Sequence, residues 1–388
     1  MIKPRTIFDL IEPYLHSPEA IVITGMRRTG KTTLLNWAYE QINSQNKIFL
    51  DLENPLNRKY FEEENYERIK GTFELLGIDF GQRPFVFLDE IQFVKNIPSI
   101  VKYFIDHYGI KFFLTGSASF YLKNLFTEPL AGRKYVFEIY PLTFGEFLVF
   151  KDVKINVPQR SGLSKAIYET LSPLYEEYLL FGGFPGVVLK TSKDEKLRAL
   201  DDIFSSFFQL EVLHLGDFKR NEAIRDLILL LAQRIGTKLD IKRLSKELGV
   251  SWSTLKEYIS FLEGTYFIGL IRPFSRGRDT EIRKAPKVYL CDCGLANHLV
   301  KLEIGPIFEN CVFQNLRVRG NLNYYQKKTG VEIDFILNKE VAYEAKVRPY
   351  DSDVRKLKRM AKELGLQEYT IVSKEYCDIE NTIFGFQL

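Results

Sequence analysis

Gly25-Met26-Arg27-Arg28-Thr29-Gly30-Lys31-Thr32-Thr33 is the stretch that decides how this sequence reads. It follows the apolar run Ala20-Ile21-Val22-Ile23-Thr24 and precedes Leu34-Leu35 and a helical pattern. A G-x-x-x-x-G-K-T loop between a strand and a helix turns backbone N–H groups inward, and the helix N-terminus favours negative charge at the same place. The spacing predicts a phosphate cradle of Gly25, Arg27, Arg28, Thr29, Gly30, Lys31, Thr32 and Thr33. Within it the Lys31 ammonium reaches the β- and γ-phosphates of ATP, and the Thr32 hydroxyl is a ligand of Mg²⁺.

Further along, Phe85-Val86-Phe87-Leu88-Asp89-Glu90 reads as a buried strand ending in two adjacent carboxylates. Neighbouring residues of a strand point opposite ways, so Asp89 can serve the Mg²⁺ shell while Glu90 polarises a water for attack on the γ-phosphate. The next apolar run ends in Thr115-Gly116-Ser117, where Thr115 is a candidate γ-phosphate sensor, although Thr-Gly-Ser is also ordinary turn chemistry. Arg133 reads either as an arginine finger reaching an adjacent subunit's nucleotide, which requires a homo-oligomer, or as a surface ion pair.

Outward from these motifs, apolar runs at 20–24, 47–52, 85–88, 111–115 and 135–139 alternate with helical stretches, as in a parallel α/β sheet. From 158 to 231 the periodicity turns helical, broken by Phe181-Gly182-Gly183-Phe184-Pro185-Gly186. A helix at 241–248, a Gly249-Val250-Ser251 turn, a second helix to 263 and β-rich stretches at 265–271 and 287–290 spell a winged helix-turn-helix. A helix at 307–318 and strands at 323–326, 332–337 and 341–346 open a last small α/β unit. The expected division is an ATPase domain over 1–157, a helical connector over 158–231, a winged helix over 232–300 and a C-terminal domain over 301–388.

Four motifs of the first domain, Gly25 to Thr33, Leu88-Asp89-Glu90-Ile91-Gln92, Leu114-Thr115-Gly116-Ser117 and Tyr140-Pro141-Leu142-Thr143-Phe144, resemble those of a prokaryotic AAA-type P-loop ATPase family of archaea and bacteria. The likeness continues through Phe181 to Pro185, Lys287-Val288-Tyr289-Leu290-Cys291-Asp292-Cys293-Gly294-Leu295 and Phe308-Glu309-Asn310. It implies an AAA-like, additional-strand ATPase core that uses ATP, then a winged helix and a domain of unknown function with a restriction-endonuclease-like, PD-(D/E)XK fold. Cys293 departs from the small hydroxyl residue more usual there.

The C-terminal residues can also be read on their own. Glu332 to Leu337 and Val341 to Val347 form a strand pair about a short turn, which returns Glu344 and Lys346, on one face of their strand, towards Asp334. Two carboxylates can hold Mg²⁺ or Mn²⁺, with Glu309 a further ligand, and Lys346 can orient or deprotonate water; phosphodiester cleavage needs this set. The arrangement resembles the Asp, Glu-x-Lys signature of nucleases, a fold that also serves as a non-cleaving platform. For DNA, the expected wing carries Arg272, Arg276, Arg278, Arg283, Lys284 and Lys287, and a second cluster holds Arg348, Arg355, Lys356, Lys358, Arg359 and Lys362.

The 388 residues exceed one ordinary core, and their 45% hydrophobic and 27% charged content is that of a globular chain without a membrane-spanning run. No signal-peptide pattern opens the chain, so the cytoplasm is the expected compartment. Four scattered cysteines suit reduced thiols better than a disulfide framework or zinc site, and a net charge of +4 neither demands nor excludes nucleic acid. The expected function is a Mg²⁺-dependent ATPase that binds DNA and couples ATP hydrolysis to a nuclease-like domain. The alternative is a nucleotide-dependent switch or scaffold whose nuclease-like domain binds a protein or nucleic-acid partner without cutting.

Overall fold

The computed structural model describes residues 2–116, 130–155, 157, 163–216, 218, 220–275, 284–327 and 329–388. They fall into two units, Met1–Tyr140 with Gly264–Tyr266, and Pro141–Glu263 with Phe267–Leu388.

In the first unit, α1 (Thr6–Ile11) precedes β1 (Ala20–Thr24), α2 (Lys31–Gln41), β2 (Lys47–Asp51), α3 (Tyr66–Leu75), β3 (Phe85–Asp89), α4 (Ile97–Tyr108), β4 (Lys111–Gly116) and β5 (Lys134–Glu138). Each strand lies within one residue of the limits expected from sequence. The sheet is parallel throughout, in the order β2-β3-β4-β1-β5. Period-two alternation divides its central strands between two cores. Val22, Val86, Leu88, Phe112 and Leu114 pack with Ile69, Phe73, Ile100 and Phe104 on one face. Ile21, Ile23, Phe85, Phe87 and Phe113 meet Leu34, Leu35 and Ala38 of α2 on the other. The order matters for chemistry, because β4 stands between the strand leading into the phosphate loop and the strand ending in Asp89. Ser117, the last residue of the sensor motif, lies outside the described residues.

The second unit opens with helices α5 (Phe144–Phe150), α6 (Lys165–Phe181), α7 (Lys193–Phe207) and α8 (Asn221–Gln233), with a π-helical stretch, Phe208–Leu215, after α7. Next come α9 (Ile241–Leu248), ended by left-handed Gly249, then α10 (Trp252–Gly264) and the antiparallel pair β6 (Ile268–Pro273) and β7 (Lys287–Leu290). Helices α11 (Cys293–Val300) and α12 (Ile304–Leu316) lead to β8 (Leu322–Gln326), β9 (Glu332–Leu337) and β10 (Val341–Lys346). The chain closes with α13 (Asp351–Leu364), β11 (Glu368–Ser373) and β12 (Thr382–Phe384). Helix α12 starts three residues before its expected limit, because Pro306 sits in the first turn, where its missing N–H would have no helical partner anyway.

One seven-stranded sheet, β12-β11-β10-β9-β8-β6-β7, carries both the hairpin and the C-terminal strands. The expected boundary between 300 and 301 therefore falls inside the span of a shared sheet. Arg276, Arg278, Asp279, Glu281 and Arg283 of the expected wing lie outside the described residues. Lys287 is corrected: it is not an exposed wing residue but a buried one, at 2% exposure, because the first position of β7 faces inward. The conspicuous motifs around 181–185 and 287–295 have a packing explanation. Asp292, fully buried, caps α11 through Leu295 N (2.8 Å) and also accepts from Gly183 N (2.7 Å) and Gln314 Nε2 (3.2 Å). Burial is the main force raising its carboxyl above the usual aspartate range. Cys291, Cys293 and Cys311 are buried free thiols.

Candidate functional site

The phosphate loop owes its shape to two glycines for different reasons. A Cβ on Gly25 would lie 2.1 Å from the Ile139 carbonyl oxygen, so the residue there must have no side chain. Gly30 has open space around it, but its φ of +101° is one that other residues avoid. It sits at the N-cap of α2 with no side chain capping the helix, which leaves the first turn's N–H groups directed at the loop. The Lys31 ammonium donates to Gly25 O (3.1 Å) and Met26 O (3.0 Å), and the Thr29 hydroxyl closes the turn on Met26 O (2.8 Å). Arg28 adopts a φ of +65° and is exposed, as are Thr32 and Thr33. A residue missed from sequence, Arg5, ties the loop down by donating to Thr29 O and Tyr140 O, each at 2.9 Å. Nothing local marks it, since its partners lie 24 and 135 residues away.

The acid pair lies beside this loop. Thr32 Oγ1 donates to Asp89 Oδ2 at 2.7 Å, which brings together the two residues expected to share Mg²⁺. They are oxygen donors of the hard type this ion prefers, and the chemistry of the pair fits it. Thr115 donates to Asp89 Oδ1 and accepts from Glu90 N at 3.1 Å. Both of these Thr115 bonds go to the acid pair. Burial raises the Asp89 carboxyl above its ordinary range, while the Thr115 and Thr32 bonds pull it back down. Glu90 occupies the left-handed region (φ 54°), its carboxylate accepts from Gln92 Nε2, and Arg27 Nη2 stands 3.9 Å away. A φ of this kind is uncommon for a residue other than glycine, and Glu90 is held in it by Thr115 at its amide and by Gln92 and Arg27 at its carboxylate.

Arg133 sits at the opposite end of the sheet. It precedes β5, its carbonyl accepts from Ala20 N at the start of β1, and its side chain pairs with Asp106 at 2.7 Å. The length of β1 puts it on the order of 16 Å along the strands from its own phosphate loop.

In the second unit, the β9–β10 ladder runs from Val341↔Leu337 to Tyr343↔Phe335. There Asp334 Oδ2 accepts from Ala345 N (3.0 Å), a side chain replacing a ladder bond. Glu344 and Lys346 share a face as expected, with Nζ 3.0 Å from Oε1, and Lys356 of α13 stands 3.8 Å from the same oxygen. Lys287 supplies what the sequence reading lacked. Its Nζ lies 3.4 Å from Asp334 Oδ1, 3.4 Å from Glu332 Oε1 and 3.7 Å from Glu309 Oε1. Tyr289 donates to Glu309 Oε1 at 2.7 Å. Burial first, then the charge of Asp334, pushes the carboxyls of Glu309 and Glu344 up to about 7. Burial opposes charging Lys287, yet the three carboxylates outweigh it and raise its pKa.

Among the described residues, no three His, Cys, Asp or Glu side chains converge to hold a metal ion. At Glu309, Asp334 and Glu344 the carboxylates face ammonium groups of this chain instead, so the residues as arranged do not fit a shared Mg²⁺ or Mn²⁺ ion. No helix of the described residues is long and apolar enough to cross a membrane.

Residues 17–148 match the family model of an AAA domain. Residues 172–304 and 304–381 match two domains of unknown function, DUF8612 and DUF4143. The chain is 30% identical to the uncharacterized protein MJ1544 of Methanocaldococcus jannaschii, over 97% of this chain and 86% of that protein. It is 28% identical to an uncharacterized protein of Haemophilus influenzae, over 86% and 84% of the two chains. Among solved structures, the Walker-type ATPase paby2304 of Pyrococcus abyssi is similar at a TM-score of 0.44 and 15% identity, covering 77% of this chain and 96% of that one. The Aeropyrum pernix ORC1 protein in complex with DNA follows at 0.35 and 13%, covering 76% and 90%.

Proposed function

This chain belongs to the family of the Methanocaldococcus jannaschii protein MJ1544, and on that footing we propose that it is a Mg²⁺-dependent ATPase whose second unit binds DNA. The observation that carries the ATPase reading is the joined set of Lys31, Thr32, Asp89, Thr115 and Glu90 at one end of one sheet. Lys31 exchanges its carbonyl partners for β- and γ-phosphate oxygens, and the loop's N–H groups take the remaining charge. Thr32 and Asp89 would hold Mg²⁺, which offsets negative charge on the phosphates when bound. Glu90, kept in place by Thr115, Gln92 and Arg27, orients the attacking water and accepts its proton. Because Arg133 is too far from its own loop to serve it, an arginine-finger role for it requires a second copy of the chain. The compartment consistent with this chemistry is the cytoplasm, where ATP is abundant.

Purified Lys31→Ala protein is expected to lose nucleotide binding, and Glu90→Gln to bind ATP without turning it over. Full ATPase activity in either variant defeats the assignment.

The DNA reading rests on α13. Leu357, Met360 and Ala361 are buried, while Arg355, Lys358, Arg359 and Lys362 are exposed, and Lys356 leans in towards Glu344. A basic exposed face beside a nuclease-like strand pair suits phosphate contacts. Cleavage by Asp334, Glu344 and Lys346 is the further activity suggested by the resemblance to restriction endonucleases. The Lys287 ammonium between Asp334 and Glu309 favours the alternative, a platform that binds without cutting. Fluorescence anisotropy with duplex and single-stranded DNA tests the reading. Binding should weaken steeply with salt and fall with Arg355→Glu and Arg359→Glu together. Salt-independent binding, or none, points to a protein partner instead.

A further inference from the structure

The cluster around Lys287 has a consequence that stands apart from DNA binding. Lys287 is anchored at both ends. Its backbone pairs with Ile271 in the β6–β7 ladder and bridges to Lys238, and its side chain is 3% exposed. Its strand stands three places from β9 in the sheet order, yet the ammonium arrives within 3.4 Å of Asp334. Three carboxylates from two elements, Glu309 on α12 and Glu332 and Asp334 on β9, face it at 3.4 to 3.7 Å. Distances this even are those of one cation shared among three anions rather than of one tight pair with bystanders. Tyr289, two residues along the same face of β7, donates to Glu309 and turns that carboxylate to the ammonium.

We propose that the Lys287 ammonium is the resident cation of this site, standing where the restriction-endonuclease-like fold would lead one to expect a divalent metal, and that it excludes one. Charge supports this, since a divalent ion between Asp334 and Glu309 would face a buried, immobile positive group at contact range. Donor supply supports it too. Glu344 Oε1 is engaged by Lys346 and Lys356, and Asp334 Oδ2 by Ala345 N. Glu344 Oε2 is buried with no hydrogen-bond partner among the described residues, the one oxygen of Asp334 and Glu344 that faces neither a lysine nor a backbone N–H. The carboxylates here build an internal ion network that ties the hairpin to the C-terminal strands.

Calorimetric titration of the nucleotide-free full chain with Mn²⁺ tests the proposal. An Asp334→Asn chain serves as reference, so that binding at the phosphate loop is subtracted. Wild type should show no Mn²⁺ binding that Asp334→Asn removes. Lys287→Met, which removes the charge and keeps the stem, should gain one ion per chain, and adding Asp334→Asn should abolish that gain. Lys287→Arg should gain none. Asp334-dependent Mn²⁺ binding by wild type overturns the proposal, as does a folded Lys287→Met chain that gains no ion. If Lys287→Met does not fold, the wild-type and Lys287→Arg titrations decide, and Asp334-dependent binding in either overturns it.

Discussion

Replacing Thr115 by valine isolates what the residue between the phosphate loop and the acid pair contributes. Thr115 is fully buried, and valine matches it in shape, so packing is retained and a hydroxyl is lost. That hydroxyl donates to Asp89 Oδ1 and accepts from Glu90 N. Glu90 N also reaches Asp89 Oδ1 at 3.2 Å, so its amide keeps one partner, whereas the carboxylate loses a donor it cannot replace with water. A hydrogen bond to a charged group contributes about 1.5–3 kcal/mol. If the whole of it acts on the positioned Glu90 and Asp89 in the transition state, kcat falls roughly 10- to 100-fold, with ATP affinity little changed because neither loop amides nor Lys31 are touched. The pH profile should move as well. Asp89 is already raised by burial and restrained by the Thr115 bond, so removing that bond raises it further. A carboxylate that must be ionised then fails at a higher pH as the solution is acidified. Steady-state phosphate release at saturating MgATP, measured across the neutral range for wild type, Thr115→Val and Thr115→Ser, reads both effects. A Thr115→Val enzyme with wild-type kcat, or a Thr115→Ser enzyme as slow as the valine variant, refutes the reasoning.

Gly25→Ala should harm the loop more than Gly30→Ala. The first drives a methyl to 2.1 Å from Ile139 O, whereas the second meets nothing within 4 Å and costs about 1 kcal/mol of backbone strain; ATP affinity and melting temperature of the two variants give the order. Asp292→Ala strands Gly183 N–H and Leu295 N–H in a fully buried place, for an expected loss of about 2–4 kcal/mol in denaturant unfolding with the fold of the first unit unchanged. Glu344→Gln tests the buried carboxylate by linkage. Its folded pKa of about 7 is above the ordinary 4.5, so its contribution to stability is fully present below about pH 4.5 and is lost as pH rises through 7. The glutamine variant should therefore melt higher than wild type at about pH 8, with the gap closing towards pH 5. A gap independent of pH counts against the assignment.

The parallel sheet was legible because its strands are short, apolar on both faces and punctuated by loops of known chemistry. Each of 20–24, 47–52, 85–88, 111–115 and 135–139 met its strand within a residue. The register of Glu344 and Lys346 was legible for the same reason, a period of two. What could not be read were partners set by long-range order. Arg5 holds Thr29 and Tyr140 without a local pattern to announce it. Thr115 could be placed at a strand end, but its two partners follow from β4 lying between β1 and β3, a fact of topology. Lys287 was misread because a lysine following Arg283, Lys284 and Pro286 looks like part of a basic loop. Only the pairing of β7 with β6, and the seat of α12 beside it, turns that side chain inward.

Position relative to a neighbour, more than residue identity, decides what each acid set can do. In the first unit, β1 and β3 are next-nearest neighbours, about 10 Å apart across β4. Across that spacing Thr32 reaches Asp89 and Arg27 stands near the Glu90 carboxylate. The same kinds of group, carboxylates with a lysine close by, have the opposite arrangement in the second unit. There Lys287 is driven between Asp334, Glu309 and Glu332 by its own strand, and the charges compensate each other inside the protein. The Lys31 ammonium donates to backbone carbonyls, neutral acceptors that an incoming phosphate, being anionic, can displace. A lysine shared by three carboxylates, the buried Asp334 among them, cannot leave without stranding that charge, an asymmetry that suits the turnover proposed for the first site and the fixed network proposed for the second.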